Sequence, residues 1–455
     1  MEIRHHVIVV GAGPAGLNAA KHAANAGCDV GLIDAGTRLG GQYWRHTGNE
    51  NFDQSVHNNF DQGSLLMDAV KNNPRITIYS QSSIWSASVI DREIVLRIKN
   101  GSFITTNLIL ATGAYDRSLP FPGWDIPGVM TAGAAQSLLK GNGIVAGKKI
   151  IVAGSGPFLL PVASTLSSHG CESIKVLEAT SRFAWRKGLW VMLQNPAKVL
   201  EGIIYLLTLR KNKVSIGYNQ AIVEAHAGAE GLLQSVTVAQ LDSNFVIQSK
   251  LTLECDVAAI SWGFTPDTSL ATSLNVEQKI DRDGSNVVVV DDNQRANTSH
   301  QAVNIFAAGE ITGVGGSDLA LLEGAIAGLA AANAVEQIKK LKSLRGKARR
   351  FSKALQRVYV VPFGWKSWLT PKTLICRCEE VEYQQVEHAV QELGAADSRG
   401  IKLMTRCGMG LCQGRTCSRI VADLLGSGEE DRLRSSLRPV ISPITLGELA
   451  QEGLL

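Results

Sequence analysis

The chain has 455 residues, of which 45% are hydrophobic and 19% charged. This length predicts two or three domains, and the composition is ordinary for a globular protein with large buried cores. A net charge of +4 is too small to indicate a nucleic-acid partner. We expect no signal peptide, because a core strand already begins at residue 6. The longest apolar run, residues 189–209, contains Gln194, Asn195 and Pro196, so it predicts a packed helical insertion and no transmembrane segment. Both expectations favour the cytoplasm.

Residues 6–34 have the pattern of a strand, a glycine loop, a helix and a second strand. The apolar run 6–10 predicts a buried strand, and residues 11–16 then read G-x-G-x-x-G. In such a loop the first glycine permits a tight turn, the second admits a pyrophosphate, and the third lets helix and strand pack closely. An acid at the end of the next strand is placed to bind ribose. The pattern predicts a dinucleotide site, a ligand-free turn being the alternative; the candidates are Gly11, Gly13, Pro14, Ala15, Gly16 and Asp34.

Three further blocks identify the dinucleotide through a resemblance. They are the sequence Gly-Gly-Gln at 40–42, the strand and small-residue turn at 108–113, and a similar turn at 305–313. Together with the first loop they resemble the flavoprotein superfamily with two dinucleotide domains, in which such blocks border FAD. The usual residue at position 310 is aspartate, whereas this chain has glutamate. The resemblance adds these candidate FAD-binding residues: Gly41, Gln42, Ala111, Thr112, Gly113, Gly309 and Glu310.

Residues 148–178 repeat the first unit in a degraded form. A strand leads into Gly154-Ser155-Gly156, but Leu159 stands where the third glycine is expected. A leucine there hinders the close approach of helix and strand, so NAD(P)H binding is disfavoured although Glu178 is placed to bind a ribose. A structural role, subunit docking or another adenine nucleotide is favoured instead. No CxxC motif precedes residue 376, and dithiol exchange is therefore disfavoured as well.

Residues 339–370 look like a connection between domains. Residues 339–350 carry seven basic positions in twelve, which favours a solvated helix end and linker over a docking arm for an acidic partner or a membrane surface. The aromatic segment that follows includes Trp365 and Trp368. Core packing and a subunit interface are equally compatible with these two tryptophans.

Five of the eight cysteines fall within residues 376–417. Four thiolates satisfy either an iron–sulfur cluster or a tetrahedral zinc ion, whereas a disulfide framework has no other support here. The spacing resembles the domain of bacterioferritin-associated ferredoxin, which binds one [2Fe–2S] cluster. That resemblance implies the ligands Cys376, Cys378, Cys412 and Cys417. It leaves Cys407 as a surplus thiol, either behind the ligands or as an alternative ligand.

The combination predicts an α/β fold of two Rossmann-like dinucleotide-binding domains, the second inserted in the first, and a small, mainly helical C-terminal [2Fe–2S] domain. The expected boundaries are 1–115 and 280–338 for the FAD domain, 116–279 for the second domain, 339–370 for the linker and 371–455 for the cluster domain and tail. The combination resembles the α (A) subunits of heteromeric amine and imino-acid dehydrogenases, such as opine oxidase, hydrogen cyanide synthase, and D-hydroxyproline and L-proline dehydrogenases.

This resemblance implies a division of labour between subunits. A partner subunit of the D-amino-acid-oxidase type would oxidise a carbon–nitrogen bond, and this chain would pass electrons through FAD and [2Fe–2S] to an acceptor such as a quinone. Some relatives carry a second flavin at the subunit contact, and a location peripheral to the membrane is compatible with such a complex. We name no catalytic acid or base. The alternatives are a self-sufficient NAD(P)H-dependent reductase and a non-catalytic metal-binding scaffold.

Overall fold

The computed structural model describes residues 2–48, 59–434, 438 and 440–451. It contains two five-stranded parallel sheets, each accompanied by a smaller sheet, and a mainly helical C-terminal unit. The predicted fold class, α/β with two Rossmann-like units and a small helical domain, is confirmed.

The first part of the chain builds most of the first parallel sheet. Strands β2 and β8, as bounded below, consist almost entirely of buried apolar residues, which is the pattern that central parallel strands require. The elements in chain order are β1 (Glu2–Arg4), β2 (Val7–Val10), α1 (Pro14–Asn25), β3 (Val30–Ile33), α2 (Phe60–Lys71), β4 (Ile76–Tyr79), β5 (Ser86–Ile90), β6 (Glu93–Ile98), β7 (Gly101–Thr105), β8 (Asn107–Leu110) and β9 (Ala114–Asp116).

The second part of the chain forms the second five-stranded parallel sheet and a three-stranded antiparallel sheet. Its elements are β10 (Val129–Thr131), α3 (Ala132–Asn142), β11 (Lys149–Gly154), α4 (Leu159–Ser167), β12 (Ser173–Glu178), α5 (Leu189–Leu193), α6 (Pro196–Lys211), β13 (Ser215–Tyr218), β14 (Gln220–Ala227), β15 (Leu233–Leu241), β16 (Ile247–Glu254), β17 (Val257–Ser261), β18 (Phe264–Pro266) and α7 (Ser269–Ser273). The sheet order is β10-β17-β11-β12-β13.

The third part returns to the first sheet and then forms the C-terminal unit. Its elements are β19 (Gln278–Ile280), β20 (Asn286–Val288), β21 (Asn304–Ala307), α8 (Ser317–Ala331), α9 (Lys339–Val358), β22 (Leu374–Cys376), β23 (Val381–Glu382), α10 (Tyr383–Gln391), α11 (Ser398–Thr405), α12 (Cys417–Leu425), α13 (Glu429–Arg434) and α14 (Leu446–Gln451). The first sheet has the order β21-β8-β2-β3-β4, so it is built from two separate stretches of sequence. Antiparallel pairing of β9 with β18 joins the two connections between the sheets.

The C-terminal unit packs against the second dinucleotide unit through tryptophans. Trp365 and Trp368 are 1% and 4% exposed and share one apolar core with residues of both units. The indole Nε1 of Trp368 donates to the backbone oxygen of Phe245 at 3.0 Å, and that of Trp124 donates to Leu374 at 2.7 Å. Of the two roles considered for Trp365 and Trp368, core packing is the one this structure has.

The basic segment is a 20-residue helix, α9, held against the first unit by two arginines. Arg345 pairs with Asp292 at 2.7 Å, and Arg349 pairs with the fully buried Glu323 at 2.6 Å. The remaining exposed cations of the helix form a solvated face, as the sequence favoured; they are Lys339, Lys340, Lys347, Arg350, Lys353 and Arg357. The helix therefore also fastens the first unit, in addition to connecting it with the cluster domain.

The apolar run 189–209 lies at the surface, which differs from the packed insertion that its composition predicts. The run is broken before Pro196 into α5 and α6, and the side chains of Leu193, Leu200, Ile204 and Leu207 are 54–68% exposed. Among the helices of the described residues, none combines the length and hydropathy needed to span a bilayer. The exposed apolar side chains therefore leave this surface without a cover in the isolated chain.

Candidate functional site

The loop between β2 and α1 is shaped by two glycines that no other residue can replace. Gly11 has φ +104°, and a Cβ there would lie 2.2 Å from the carbonyl oxygen of Ala111. A Cβ on Gly16 would lie 1.7 Å from the carbonyl oxygen of Gly11. Gly13, by contrast, has open space above it, with no atom of the described residues within 4 Å of the Cβ position. The loop thus packs tightly beneath and leaves its upper surface free for a ligand.

The first turn of helix α1 borders that free surface, and the first amides of a helix have no partner within the helix. Gly13 is its N-cap and makes no side-chain cap bond, and Pro14 occupies the first turn. Such a helix end carries a partial positive charge and binds phosphate groups. A Cβ on Gly41 would lie 2.8 Å from the Cα of Gly13, so this second loop also needs its glycine, with φ +60°. These contacts form a cradle that a side chain would fill and a pyrophosphate fits.

Asp34 holds the glycine loop as well as bordering the cavity. Its Oδ2 accepts a hydrogen bond from the amide of Ala12 at 2.5 Å, and its Oδ1 accepts one from Gly36 at 2.7 Å. Glu178 in the second unit does the same, accepting from the amides of Gly156 at 3.0 Å and Thr180 at 2.8 Å. The two backbone hydrogen bonds fix the orientation of the Asp34 carboxylate at the cavity wall, and its ribose-binding role stays a prediction.

One large cavity runs along the carboxyl ends of the strands of the first sheet, where ligands of such sheets bind. Thr112 lies in the wall of this cavity, and its hydroxyl donates a hydrogen bond to the backbone carbonyl of Asp267 at 2.6 Å. Gly16 lies beneath the loop, whereas the other candidate FAD residues line the cavity: Gly11, Gly13, Pro14, Ala15, Asp34, Gly41, Gln42, Ala111, Thr112, Gly113, Gly309 and Glu310. The structure therefore brings the separate sequence blocks to one site.

Glu310 is oriented by backbone amides next to the cavity. Its two carboxylate oxygens accept hydrogen bonds from Gly315 at 3.0 Å and Gly316 at 2.8 Å. Burial raises the pKa of this carboxyl group to about 7, against the opposing effect of those two amides. The contact of this carboxylate with FAD stays a prediction.

Sequence reasoning missed the buried network behind Gly309. Glu323 is fully buried in α8, accepts from the amide of Gly309 at 3.0 Å and pairs with Arg349 at 2.6 Å. Burial raises the pKa of Glu323, while the charge of Arg349 opposes that shift. The sequence does contain one indication of this network, which is an acidic residue inside an otherwise apolar helix. Such a residue is rarely buried without a partner, so it predicts a buried ion pair or hydrogen bond.

Helix α8 approaches α1 through its own interior glycines. A Cβ on Gly324 would lie 2.1 Å from the oxygen of Ala15, and one on Gly328 would lie 2.2 Å from the oxygen of Ala19. The two glycines therefore permit close packing of α8 against α1. Gly309 belongs to the same contact, because its Cβ position is 2.9 Å from the side chain of Ala15.

The cysteines of the C-terminal unit form two neighbouring groups. The buried trio consists of Cys376, Cys407 and Cys417, whose sulfur atoms all lie within 4.8 Å of one another. The outer pair consists of Cys378, which is exposed, and Cys412, which is partly buried and lies close enough to raise the pKa of the Cys378 thiol by its charge. Hydrogen bonds from Cys407 and Cys417 hold the pKa of the Cys376 thiol far below its usual value. Such a set of converging thiols fits an iron–sulfur cluster.

The four predicted ligands are divided between these groups. Cys376 and Cys417 belong to the buried trio, and Cys378 and Cys412 form the outer pair. Cys407, the predicted surplus thiol, stands in the trio beside two of them. The choice of four ligands stays a prediction, and the structure adds that the fifth thiol is within reach of the same site.

A chain of contacts connects the cysteine unit with the FAD-side loop. The amide of Asp267 donates to the carbonyl of Gly113 at 3.0 Å, and its carboxylate lies 3.7 Å from Nε of Arg415. The amide of Arg415 in turn donates to the carbonyl of Cys412 at 3.1 Å. Cys412, Arg415 and Thr416 also line the cavity that holds the candidate FAD residues. The two candidate sites are therefore neighbours in one structure.

Comparison with known proteins places this architecture in a family. The model of the family "Pyridine nucleotide-disulphide oxidoreductase" matches residues 5–337, and that of the "BFD-like [2Fe-2S] binding domain" matches residues 374–427. The first match implies FAD, and the second, together with the cysteine groups, implies a [2Fe–2S] cluster. The glycine cradle and the converging thiols fit both cofactors.

Individual relatives cover nearly the whole chain. The A subunit of opine oxidase from Agrobacterium tumefaciens is 30% identical, over 98% of this chain and 91% of that protein. The HcnB subunit of hydrogen cyanide synthase from Pseudomonas protegens is 29% identical, over 95% and 96%. The solved structure of L-proline dehydrogenase from P. horikoshii shares the fold with a TM-score of 0.66 at 19% identity, over 98% of this chain and 80% of that one. The chain belongs to the pyridine nucleotide-disulphide oxidoreductase family, as a flavin- and [2Fe–2S]-containing oxidoreductase subunit related to the opine oxidase and hydrogen cyanide synthase subunits.

Proposed function

We propose that this chain is the electron-transferring subunit of a heteromeric dehydrogenase or oxidase. A partner subunit of the D-amino-acid-oxidase type would oxidise the carbon–nitrogen bond of an opine, amino acid or imino acid. FAD supplies two-electron chemistry and the [2Fe–2S] cluster supplies one-electron transfer. The residues of this chain bind and orient the two groups, and the names of the relatives, which are subunits of opine oxidase and hydrogen cyanide synthase, support the assignment.

The observation that carries the proposal is the contact chain from Gly113 through Asp267 and Arg415 to Cys412. It joins a loop that borders the flavin cavity to a loop that carries a candidate cluster ligand. Electron transfer benefits from such a short, packed and fixed connection. A pyridine-nucleotide reductase without a cluster would not need a contact between these two loops.

The exposed apolar surface of α5 and α6 supports a partner subunit. Leu193, Leu200, Ile204 and Leu207 are large aliphatic side chains that water surrounds in the isolated chain. Obligate subunit contacts have this apolar character at their centre. Arg210 and Lys211 at the end of α6 are exposed as well, so the proposed partner surface is apolar with acidic groups at its edge.

The second dinucleotide unit differs from the first where a nucleotide phosphate would bind. Helix α1 begins directly after Gly13, whereas α4 begins only at Leu159, three residues after Gly156. Leu159 is 1% exposed and belongs to an apolar core. The amides proposed to bind a pyrophosphate in the first unit thus lack direct counterparts in the second, which supports electron entry from a partner and not from NAD(P)H.

The test uses the complex from the native host, purified through a tag on this chain. Adding candidate amines to the complex should bleach the flavin and reduce the cluster, whereas NADH or NADPH added to the chain alone should bleach neither. Replacing Ile204 and Leu207 together by glutamate should release the partner and leave FAD and iron in place, while Lys250→Gln, an exposed change on β16, should retain the partner. Rapid flavin bleaching by NAD(P)H in the chain alone would favour the self-sufficient reductase.

The proposed acceptor is a quinone, and the proposed location is the cytoplasm with the complex peripheral to a membrane. All eight cysteines are free, which is compatible with a reducing compartment. Oxidation of the substrate-reduced complex by a soluble quinone analogue, followed at the flavin absorbance, tests the acceptor. Oxidation by dioxygen alone, with no acceleration by the quinone, would contradict it.

A further inference from the structure

The geometry points to Cys407 as a reserve ligand of the cluster: any two of Cys376, Cys407 and Cys417 can hold the iron that lies nearer the buried trio. The inference concerns the cluster domain alone and does not depend on the identity of partner or substrate.

The cluster domain has five cysteines for the four ligand positions of a [2Fe–2S] cluster. A [2Fe–2S] cluster takes four thiolates, two on each iron. The outer pair, Cys378 and Cys412, supplies two thiols and no third. The buried trio supplies three thiols whose sulfur atoms lie within 4.8 Å of one another, for two positions. The excess ligand is therefore local to one side of the site.

The backbone around Cys407 directs its side chain into that site. Arg406 has φ +65° and Gly408 has φ +87°, so the residues on either side of Cys407 are both in the left-handed region. This conformation is unfavourable for an arginine and needs support from its surroundings. Arg406 is held by an ion pair with Glu379 at 2.9 Å, the residue after Cys378. The loop of Cys407 is thereby tied to the loop of the outer pair.

The burial of Cys407 distinguishes it from an exposed surplus thiol. It is 4% exposed, and its sulfur atom lies within 4.8 Å of those of Cys376 and Cys417. Its companions are 1% exposed each. Cys255 and Cys407 are both buried in one apolar core. Cys407 differs because its sulfur atom also lies within 4.8 Å of two thiols that are themselves candidate ligands.

Exchange within the trio conserves charge and electrons. When Cys407 replaces Cys417, the iron–sulfur bond to Cys417 breaks and one to Cys407 forms. The Cys407 thiol releases its proton, and the displaced Cys417 thiolate takes up a proton. Neither iron changes oxidation state, so no oxidant or reductant is needed.

The experiment compares alanine variants of the full chain, with iron, acid-labile sulfide and the electron paramagnetic resonance spectrum of the reduced protein as readouts. Cys407→Ala should retain about two irons per chain with an unchanged spectrum. Cys376→Ala and Cys417→Ala should each retain the iron with a shifted spectrum, because Cys407 takes the vacant position. The double variants that combine either change with Cys407→Ala should lose nearly all iron. Cys412→Ala should lose it alone, since the outer pair has no third thiol.

Cys376 ends β22 and Cys417 begins α12, so the two single variants change different elements. Local misfolding in one variant therefore leaves the other as a valid test. The FAD content of each variant and the far-ultraviolet circular dichroism report whether the chain has folded, and Cys255→Ala is the matched control for a buried thiol elsewhere. If both single variants lose iron as completely as their doubles, Cys407 is no ligand at all. If Cys407→Ala alone loses the cluster, Cys407 is an obligatory ligand. Either result overturns the reserve role, and so does full iron retention in Cys412→Ala.

Discussion

Within the glycine loop, the space above Gly13 is the feature that one added methyl group can test. The residue has φ −76°, an ordinary value, and its Cβ position has no neighbour within 4 Å among the described residues. Gly13→Ala should therefore leave the stability of the FAD-free protein unchanged within about 0.5 kcal/mol. The methyl group would occupy the space that a pyrophosphate needs, and FAD affinity should fall at least about tenfold. Flavin absorbance per chain and thermal unfolding measure the two effects.

Gly346 is the matched control for this change. It lies inside α9, has no neighbour near its Cβ position and is far from the loop in sequence. Gly346→Ala should raise the free energy of unfolding by up to about 1 kcal/mol, because alanine is the better helix former, and should keep the full FAD content. Full flavin retention in Gly13→Ala would contradict the phosphate position.

Glu310 should give the FAD-free protein a characteristic pH dependence. Burial raises the pKa of its carboxyl group from 4.5 to about 7 in the folded state. Between these values the unfolded chain has released the proton while the folded chain still binds it, so stability falls as the pH rises from 4.5 to about 7 and changes no further above that. Relative to Glu310→Gln, the loss should reach up to about 3 kcal/mol, the equivalent of the shift.

The measurement is the thermal midpoint of the two proteins at a series of pH values. Only the difference between them matters, because the other titrating groups are common to both. A difference that stays constant from pH 4 to 8 would show that the Glu310 carboxyl titrates alike in both states.

Among the secondary-structure elements, α9 depends on one buried ion pair for its attachment. Glu323 has a side-chain exposure of 0%, and its partner Arg349 has 24%. Arg349→Met leaves the carboxylate without its counter-charge and should cost roughly 3 kcal/mol of stability. Lys347→Met, an exposed change on the same helix, should alter stability by about 0.5 kcal/mol or less.

A second substitution tests the cause of that loss. Combining Arg349→Met with Glu323→Gln removes the uncompensated charge and should recover part of the stability, whereas two independent effects would add. Denaturant unfolding, followed by circular dichroism, measures both effects in five proteins: the unchanged protein, Arg349→Met, Glu323→Gln, their double variant and Lys347→Met. An equal effect of Arg349→Met and Lys347→Met would show that the buried pair does not hold the helix.

Across the whole molecule, the contact between the flavin side and the cysteine side should control the internal electron-transfer rate. Arg415 touches both sides through Asp267 and Cys412. Arg415→Gln should keep FAD and iron in place and slow reduction of the cluster after flavin reduction by roughly tenfold, because the ion pair that fixes the two loops is lost; a tenfold change corresponds to about 1.4 kcal/mol. Stopped-flow absorbance at flavin and cluster wavelengths separates the two steps.

An exposed arginine serves as the control for that change. Arg434 pairs with Glu430 at the surface of α13, with 71% of its side chain exposed. Arg434→Gln should leave both rates unchanged. Equal rates in Arg415→Gln and the unchanged protein would show that the Asp267–Arg415 contact does not lie on the electron path.

The local parts of this protein can be predicted from short stretches of its sequence. The turn at Gly11, the close packing at Gly16 and the convergence of cysteines in residues 376–417 follow from short motifs in which backbone geometry or ligand chemistry leaves few alternatives. The alternation of apolar strands and helical segments likewise predicts two Rossmann-like units, because both periods can be seen within a short window. These conclusions need no knowledge of how distant segments meet.

The pairing of groups from different elements, by contrast, depends on how the whole chain packs. The pairs Glu323–Arg349 and Asp267–Arg415 join segments far apart in the chain, and no local pattern announces either of them. The exposed face of α6 differed from expectation for the same reason. Its apolar composition predicts that this face is buried in a contact, but it does not predict whether the contact is with this chain or with another one. Cys407 looked surplus in the motif, and its place in the buried trio became visible only when the loops were packed together. Burial and charge pairing depend on the whole fold, and these determine how the two cofactor sites are connected.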